Sequence, residues 1–490
     1  MAESLRFEPV PDVPEHIYSG GWEHFVGGGV AVFDCNGDDR PEIFAAGGES
    51  PSALFRNKTT DDGLRFAQAT PRNLALTGVT GGYPLDIDSD GVTDLAILRV
   101  GPDLLLRGGP DCTFTPFDSL SFESGDHWST AFSATWEDGH SLPTLAFGSY
   151  VDRADPDGPF EACAPNWLYR PDGDRYGPPT ELEPGFCALS MLFTDWGRRG
   201  QQDLRVSNDR HYYVRGGSEQ LWALGDTPSL YGEAEGWRHF ELWGMGIASR
   251  DISGDGRPEV FLTSMGDQRL QEPEPGTTRP TYRDVPFVKG TTAHRPHTGE
   301  DGRPSTGWHV QFGDVNNDGL DDVFIAKGNV DQMPGLAWDD PNSLLMQRSN
   351  GTFREASVEA GVASSARSRG AALVDLNLDG RLDLVVASRR APLEIYHNVT
   401  EPAGHWLSVT LEQPGPNPSG VGAWIEVKSG ERVMAREITV GGGHVSGQWG
   451  PEHFGFGDAK EVELRVIWPD GEVGPWQSAT TNGHLTVKRY

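Results

Sequence analysis

Carboxylate and amide side chains recur along this chain in a nine-residue pattern that suits a hard cation. Five segments share D-x-[DNS]-x-D-x-x-x-[DE], and they begin at Asp34, Asp86, Asp251, Asp314 and Asp375. Side-chain oxygens at positions 1, 3, 5 and 9, with the main-chain carbonyl of position 7, can supply the six or seven oxygen ligands that calcium prefers. The pattern therefore predicts about five calcium ions per chain.

The predicted ligands share the odd-numbered positions of their segments. They are Asp34, Asn36, Asp38, Arg40, Glu42; Asp86, Asp88, Asp90, Val92, Asp94; Asp251, Ser253, Asp255, Arg257, Glu259; Asp314, Asn316, Asp318, Leu320, Asp322; and Asp375, Asn377, Asp379, Arg381, Asp383. Position 6 is glycine in four segments, which permits the sharp turn that brings position 9 back to the ion. Asp and Asn also stabilise turns without a metal, but five segments in one register favour calcium.

Each segment stands between two short apolar runs, so the elements that position it are predicted to be β-strands. Two degenerate copies complete the series. One has Trp136 and Thr144 at positions 1 and 9, and the other has Asp195 and Asp203 there, with Arg199 at position 5. The seven copies start 50 to 63 residues apart, a period that suits blades of four strands. We therefore predict a seven-bladed β-propeller, in which Arg199 replaces calcium in blade four.

Composition agrees with an all-β fold and narrows the partners. The 490 residues include 63 Gly and 36 Pro, and the formal net charge is -32. So acidic a surface repels phosphate backbones, which argues against nucleic acid as a partner. The chain lacks a run of 18 apolar residues, so we expect no membrane span. The four cysteines show no CxxC spacing and do not indicate a compartment.

The repeated strand and DxDxDG units resemble FG-GAP, or VCBS, repeats, which occur in integrin α-chains and many secreted proteins. Farther along, His405–Val409, Gly420–Ala423, His453–Gly457 and Trp468–Gly471 resemble an ASPIC/UnbV domain. Together these regions resemble the cartilage acidic protein family as found in bacteria. The resemblance implies a calcium-bearing propeller and export from the cytoplasm, but it implies no defined activity.

The predicted domain organisation follows from these motifs. Residues 1–20 form a lead-in, 21–402 a seven-bladed propeller, and 403–490 a small, sandwich-like β domain of the ASPIC/UnbV type. Residues 271–306, rich in Pro, Gly and charge, are predicted to be an insertion. It is either a long surface loop or a lid over one face.

A second group of residues could form a ligand pocket at the end of the propeller channel opposite the metal loops. They precede the loops by three to ten positions and comprise His24, Tyr83, His127, Trp243, Trp308, His309 and Arg369. The alternative interpretation is that these aromatic rings pack the channel entrance and each His forms a hydrogen bond. His294 and His297 have H-x-x-H spacing, which by itself is a poor metal signal.

Two functions remain open at this stage. The first is a calcium-binding protein, periplasmic or secreted after loss of a signal peptide, that binds a protein, glycan or small-molecule ligand. The second is an enzyme, for example in a natural-product pathway, that uses the channel mouth. No GxSxG, HExxH, P-loop or dinucleotide motif supports the second. A cytoplasmic location is the alternative to export, because Met1–Val10 has neither a basic start nor an apolar core.

Overall fold

The computed structural model describes residues 5–60, 63–209, 216–285, 287–292, 294–331 and 333–490. Over these ranges the regular secondary structure is almost entirely β-strand, as the composition predicted. Its one α-helix there is Ser357–Ala360. Short 3-10 helices span Trp22–His24, Arg72–Leu74, Pro110–Cys112, Asp118–Leu120, Glu233–Glu235 and Phe287–Lys289. A helix able to span a membrane is not found among the described residues.

Strands in the first four fifths of the chain form consecutive antiparallel groups, which we call units. Strand β1 is Phe7–Pro9. Unit 1 consists of β2 Val30–Phe33, β3 Glu42–Ala45, β4 Ala53–Asn57 and β5 Phe66–Gln68. Unit 2 consists of β6 Val79–Leu85, β7 Asp94–Gly101, β8 Leu104–Gly109 and β9 Thr113–Pro116. Unit 3 consists of β10 His127–Thr135, β11 Thr144–Ser149, β12 Asn166–Tyr169, the hairpin β13 Pro171–Asp172 and β14 Arg175–Tyr176, and β15 Thr180–Leu182.

The remaining units follow the same order. Unit 4 consists of β16 Ala188–Thr194, β17 Asp203–Asn208, β18 Gln220–Ala223 and β19 Ser229–Leu230. Unit 5 consists of β20 Gly244–Arg250, β21 Glu259–Ser264, β22 Arg269–Pro273 and β23 Tyr282–Asp284. Unit 6 consists of β24 Gly307–Gly313, β25 Asp322–Lys327, β26 Ser343–Gln347 and β27 Phe353–Glu355. Unit 7 consists of β28 Ser368–Val374, β29 Asp383–Ser388 and β30 Glu394–Asn398, and β1 is its fourth strand.

The first strands of consecutive units pack side by side. Each contacts the first strand of the next unit, and β28 of unit 7 contacts β2 of unit 1. Apolar side chains fill the space between units. Between units 7 and 1, for example, Val30 and Ile43 pack with Ala372 and Val385. Because each unit buries apolar side chains against both neighbours, its first two strands are largely buried on both faces.

The C-terminal strands form a separate pair of sheets. They are β31 Trp406–Glu412, β32 Trp424–Ser429, β33 Arg432–Glu437, β34 Val440–Gly441, β35 Gly447–Trp449, β36 Glu452–Gly455, β37 Glu461–Ile467, β38 Gln477–Thr480 and β39 Gly483–Lys488. One sheet has the order β36-β31-β39 and the other β33-β32-β37-β38. Side chains such as Leu407, Ile425 and Leu464 are buried in a shared core. Strands β34 and β35 leave these sheets and pair with the units.

The predicted insertion, residues 271–306, differs in its first half from a surface loop. Residues 271–273 belong to β22, and Tyr282–Asp284 is β23, so this half forms the outer strands of unit 5. These strands were not predicted because the sequence there has few apolar residues. Leu270 and Tyr282 are buried, and most of their neighbours are polar. Residues 274–281 connect these two strands, and the part of the predicted insertion that follows unit 5 begins after residue 284.

Candidate metal centres

The nine-residue segments form the hairpin loops between the first two strands of their units. In unit 2, Leu85 pairs with Asp94 across the loop, and in unit 6 Gly313 pairs with Asp322. Position 9 is thus the first residue of the second strand in every unit. All predicted metal ligands lie in these loops of units 1, 2, 5, 6 and 7.

The loop of unit 2 illustrates the local geometry. Asp86 at position 1 accepts hydrogen bonds from the amides of Asp90, at 3.1 Å, and Gly91, at 2.9 Å. Asp94 at position 9 accepts one from the amide of Ile87, at 2.8 Å. Position 1 accepts the position-6 amide in units 1, 5, 6 and 7 as well. The two terminal carboxylates are therefore held toward the same loop interior.

Position 6 has left-handed backbone geometry, as its glycines predicted. The φ angles of Gly91, Gly256, Gly319 and Gly380 lie between 82° and 87°. In unit 1, Asp39 takes this conformation with φ 67°, which Asp tolerates better than most side chains. The turn folds the chain back, so position 9 returns next to position 1.

The carboxylates of unit 2 fit a divalent cation. One oxygen each of Asp86, Asp88 and Asp94 lies within 4.8 Å of the others. One oxygen of Asp88, Oδ1, is buried and has no hydrogen-bond partner among the described residues. Arg107 pairs with two acids of this loop, at 2.9 Å from Asp88 Oδ2 and 2.8 Å from Asp90 Oδ2. Converging oxygens, one of them unsatisfied, are the donor set of a hard cation.

Burial and mutual repulsion raise the pKa values of the loop carboxyls when no cation is present. In unit 2, burial raises the pKa of Asp94 to about 8 and that of Asp86 to about 6, and neighbouring carboxylates add to both shifts. In unit 1, burial raises the pKa of Glu42 to about 7. In unit 6, burial and nearby carboxylates raise the pKa of Asp314 well above its ordinary value. These loops accommodate their full negative charge poorly without a counter-ion.

The degenerate loop of unit 4 has the same backbone hydrogen bonds but a different charge balance. Asp195 accepts hydrogen bonds from the amides of Arg199 and Gly200, each at 2.7 Å. The Arg199 guanidinium forms an ion pair with the buried Asp203, at 2.7 Å, and lies 4.3 Å from the centre of the Trp196 ring. Trp196 also donates its indole N–H to Asp203. A side-chain cation therefore lies against the position-9 carboxylate.

An arginine also lies against the degenerate loop of unit 3. Glu137, at position 2, accepts hydrogen bonds from Thr144 Oγ1, at 2.6 Å, and from Arg170 Nε, at 2.7 Å. Arg170 directly follows strand β12 and lies outside the loop. Trp136, at position 1, supplies no carboxylate. This loop therefore has neither of the terminal acids of the intact loops.

The C-terminal domain lies on the face of the units that carries these loops. Its Arg436 forms an ion pair with Asp321 of the unit 6 loop, at 2.8 Å, and both side chains are buried. Its neighbour Glu437 accepts a hydrogen bond from the amide of Asp195 in the unit 4 loop, at 2.6 Å. The domain thus contacts the acidic loop with a cation and the arginine-bearing loop with an anion.

Residues 440–449, which we call the central segment, enter the space among the first strands of the units. Gly441 pairs with Ser133 of unit 3, and Gly447 pairs with Ala31 of unit 1. The Ser446 hydroxyl accepts a hydrogen bond from the Val30 amide. Glycines make room for this backbone, because a Cβ at Gly29 or Gly81 would lie about 2 Å from the Val445 carbonyl oxygen. The central segment therefore occupies the interior between the units.

The seven residues predicted at the channel mouth do not form one open pocket. Five of them are buried, and His127 and Trp243 are half-buried. Tyr83 donates to the Gly442 carbonyl, at 3.3 Å, and His309 Nδ1 accepts from the His444 amide, at 3.1 Å. The Arg369 guanidinium lies 4.0 Å from the centre of the Trp308 ring. These contacts place Tyr83 and His309 against the central segment.

The other three lie farther apart. His24 is buried near Tyr18, whose hydroxyl donates to the His24 carbonyl. His127 is half-buried against the Trp167 ring, with ring centres 4.9 Å apart. Trp243 lines a cavity between units 5 and 6. The structure brings Trp308 and Arg369 together and packs Trp243 against the core cluster that contains Trp308, whereas His24 and His127 have other partners.

The two histidines of the H-x-x-H pair in the insertion do not form a common site. His294 Nδ1 lies 2.9 Å from Asp267 Oδ1, whereas His297 Nε2 lies 2.9 Å from the Ser357 hydroxyl. The two rings thus have different partners. This geometry gives no shared metal site.

Sequence reasoning missed the central segment altogether. Its signal was present in the run Gly441–Gly443, followed by Gly447 and Gly450. Such a run is typical of a backbone that approaches other backbones closely. Without the fold, the same run also suits an exposed turn.

The cysteines form two disulfide bonds, Cys35–Cys112 and Cys163–Cys187, which leaves no free thiol in the described ranges. The first joins unit 1 to the segment after β8 of unit 2. Glu42 lies next to these sulfurs. Because the sulfurs are bonded to each other, they are not metal ligands.

Comparison with known proteins supports the two-part organisation. Residues 314–386 match the FG-GAP-like repeat, and residues 413–489 match the ASPIC and UnbV domain. Cartilage acidic protein 1 of Mus musculus and of Homo sapiens are each 27% identical to this chain over 161 residues. The match covers 31% of this chain and only 22% of each relative.

Among solved structures, the extracellular domain of a putative hybrid two-component system from B. thetaiotaomicron aligns over 99% of this chain and 59% of its own. Its identity is 7% and its TM-score 0.42, too low to carry an argument about function. The chain is thus similar over part of its length to the cartilage acidic proteins, and it contains one region that matches the FG-GAP-like repeat and one that matches the ASPIC and UnbV domain.

Proposed function

We propose that the protein is a closed seven-bladed β-propeller braced by about five calcium ions, and that it binds a protein, glycan or small molecule outside the cytoplasm. Closure of the ring is supported by the contact between β28 and β2 and by the apolar core between units 7 and 1. Strand β1 pairs with β30, which joins the two ends of the repeat region. Closure removes exposed sheet edges.

The observation that carries the calcium proposal is the loop of unit 4. Its backbone hydrogen bonds match those of the intact loops, and Arg199 places a positive charge on its position-9 acid. The intact loops have an acid at position 5 instead, such as Asp90 or Asp318. In unit 4 a side-chain cation thus lies on the position-9 acid, whereas the position-9 acids of units 2 and 6, Asp94 and Asp322, accept backbone amide hydrogen bonds.

The residues that would hold calcium are the side chains at positions 1, 3, 5 and 9 and the carbonyl at position 7. Calcium would neutralise acids whose pKa values burial has raised. The ions are structural in this proposal, because the ligand sets offer few open positions for an activated water. They would tie the first two strands of each blade together.

A location outside the cytoplasm is supported by the two disulfide bonds, since such bonds persist in oxidising compartments. The net charge of -32 also favours a protein that stays soluble and bears cations.

Binding is favoured over catalysis because Trp308, His309 and Arg369 are buried and occupied by contacts with each other or with the central segment. A catalytic site at the channel mouth would need some of these groups to reach a substrate. The cavity that contains Trp243 lies off this centre, between units 5 and 6.

Elemental analysis of protein purified in calcium buffer and then desalted tests this proposal. We expect about five calcium ions per chain and neither zinc nor iron in stoichiometric amount. Native mass spectrometry gives the number of ions on each molecule. Zinc or iron as the main metal, or no retained metal, would refute the calcium assignment.

A further inference from the structure

A cavity of about 580 Å³ opens between units 5 and 6. It lies at the strand ends opposite the candidate metal loops, because Trp243 precedes β20 and Met265 follows β21. Cavities of this size are typical of sites for small organic ligands. Neither the candidate metal loops nor the central segment contributes to it.

The walls of this cavity are mainly apolar. Leu242, Trp243, Met265, Met333 and Leu336 line it. Met265 belongs to the buried core near the centre of the units, and Trp243 packs against that core. Thioether side chains adapt to ligand shape, and an indole ring offers a face to flat or cationic groups. The apolar walls suit an aromatic or aliphatic ligand body.

The polar groups of the lining carry more negative than positive charge. Glu241 and Asp267 lie at the cavity, where Glu241 pairs with the exposed ring of His239 and Asp267 with the exposed ring of His294. The only guanidinium in the lining, within the described ranges, is that of Arg269, and it forms an ion pair with Asp284. This charge balance is complementary to a cationic group on the ligand.

The second half of the insertion supplies one wall. His294 and Pro304 line the cavity. The Gly266 amide donates to the Ser305 carbonyl, at 2.7 Å, and the Ser305 hydroxyl donates to the buried Asp340, at 2.6 Å. The wall is thus tied to units 5 and 6 by hydrogen bonds at its base.

We propose that this cavity binds a small molecule with a flat apolar body and a basic amine, the amine lying near Asp267 and Glu241. The proposal rests on the proposed ligand-binding function and names the class of ligand. The cavity then acts as a binding site on the face opposite the calcium loops, with the insertion as its outer wall.

Isothermal titration calorimetry of the calcium-loaded full chain tests the proposal with three probes of the same size. They are 1-naphthylmethylamine, which is cationic, 1-naphthalenemethanol, which is neutral, and 1-naphthoate, which is anionic. We expect saturable binding of one amine per chain, weaker binding of the alcohol, and weakest binding of the acid. Absence of binding by all three, or preference for the acid, would overturn the proposal.

Gly335→Phe is the blocking variant, because a Cβ at Gly335 meets no atom within 4 Å and the ring has room to enter the cavity. We expect it to weaken amine binding at least about tenfold by filling the ligand volume. Gly302→Phe is the matched control, since a Cβ there also meets no atom and Gly302 does not line the cavity. Equal binding by the two variants would place the probe elsewhere and overturn the site.

Asp267→Asn tests the charge argument separately. We expect it to lower the preference for the amine over the alcohol about threefold, as for a partly exposed ion pair. An unchanged preference in both Asp267→Asn and Glu241→Gln would overturn the assignment of the amine. Calcium content is measured on the same samples, so that failure of this proposal can be told from failure of the calcium proposal. If calcium is bound but no probe binds, the ligand site in this cavity is wrong and the calcium proposal stands.

Discussion

The loops of units 4 and 6 are the same hairpin with two different charge balances. Both hold the position-1 acid by the amides of positions 5 and 6. In unit 4, Arg199 at position 5 forms an ion pair with the position-9 acid. In unit 6, position 5 is Asp318, and Arg436 of the C-terminal domain forms an ion pair with Asp321 of the loop. The comparison separates the hairpin, which both sequences form, from the cation, which only one supplies itself.

Removal of calcium is the broadest test of this difference. Binding to the folded state alone stabilises it by about 2.7 kcal/mol per site at a hundredfold excess over Kd, and five loops lose this term together. We expect excess EGTA to lower the Tm sharply in differential scanning calorimetry, with recovery on adding calcium. An unchanged Tm after confirmed metal removal would contradict bracing by these loops.

Arg436→Ala breaks the contact between the C-terminal domain and the unit 6 loop. It leaves Asp321 as a buried, unpaired charge, so we expect a loss of about 3 kcal/mol in the free energy of unfolding. Urea denaturation measures the loss. Lys428→Ala is the control within the same domain, since its pair with Glu463 spans 3.6 Å and is exposed. A loss no larger than the control's would mean that this ion pair does not hold the domain.

Asp318→Ala should lower the calcium-dependent stability, whereas Arg199→Ala should lower the stability that does not depend on calcium. Asp318→Ala removes one calcium ligand, so we expect a loss of up to about 2.7 kcal/mol that disappears in EGTA. Arg199→Ala unpairs the buried Asp203, so its loss should persist in EGTA. Thermal melts of both variants with and without calcium make the comparison. If both losses vanished on chelation, Arg199 would not be acting in place of a cation.

The smallest expected effect is a gain of one ion in unit 4. Gly197→Asn combined with Arg199→Asp restores acids or amides at positions 3 and 5 of this loop. The three atoms nearest to a Cβ at Gly197 all belong to the Arg199 side chain, which the second change removes. Native mass spectrometry should then count one more calcium than in the parent. An unchanged count would mean that the pattern alone is insufficient for binding.

Local chemistry explains which parts of the fold could be predicted. The hairpin loops depend on hydrogen bonds within nine residues and on left-handed turns at Gly91, Gly256, Gly319 and Gly380, so they followed from the pattern. The outer strands of unit 5 were harder, since Leu270 and Tyr282 are their few buried anchors. The position of the predicted mouth residues depended on a segment more than a hundred residues away from His309 in sequence.

By itself, the sequence determined the repeat, the strand and loop order, the all-β class and the pairing of repeat region with C-terminal domain, because each is expressed within short stretches of residues. Only the tertiary structure decided that residues 440–449 occupy the interior, that Arg436 meets Asp321, and that Cys35 bonds to Cys112. These contacts join residues far apart in the chain, and their partners emerge only once the units have packed side by side.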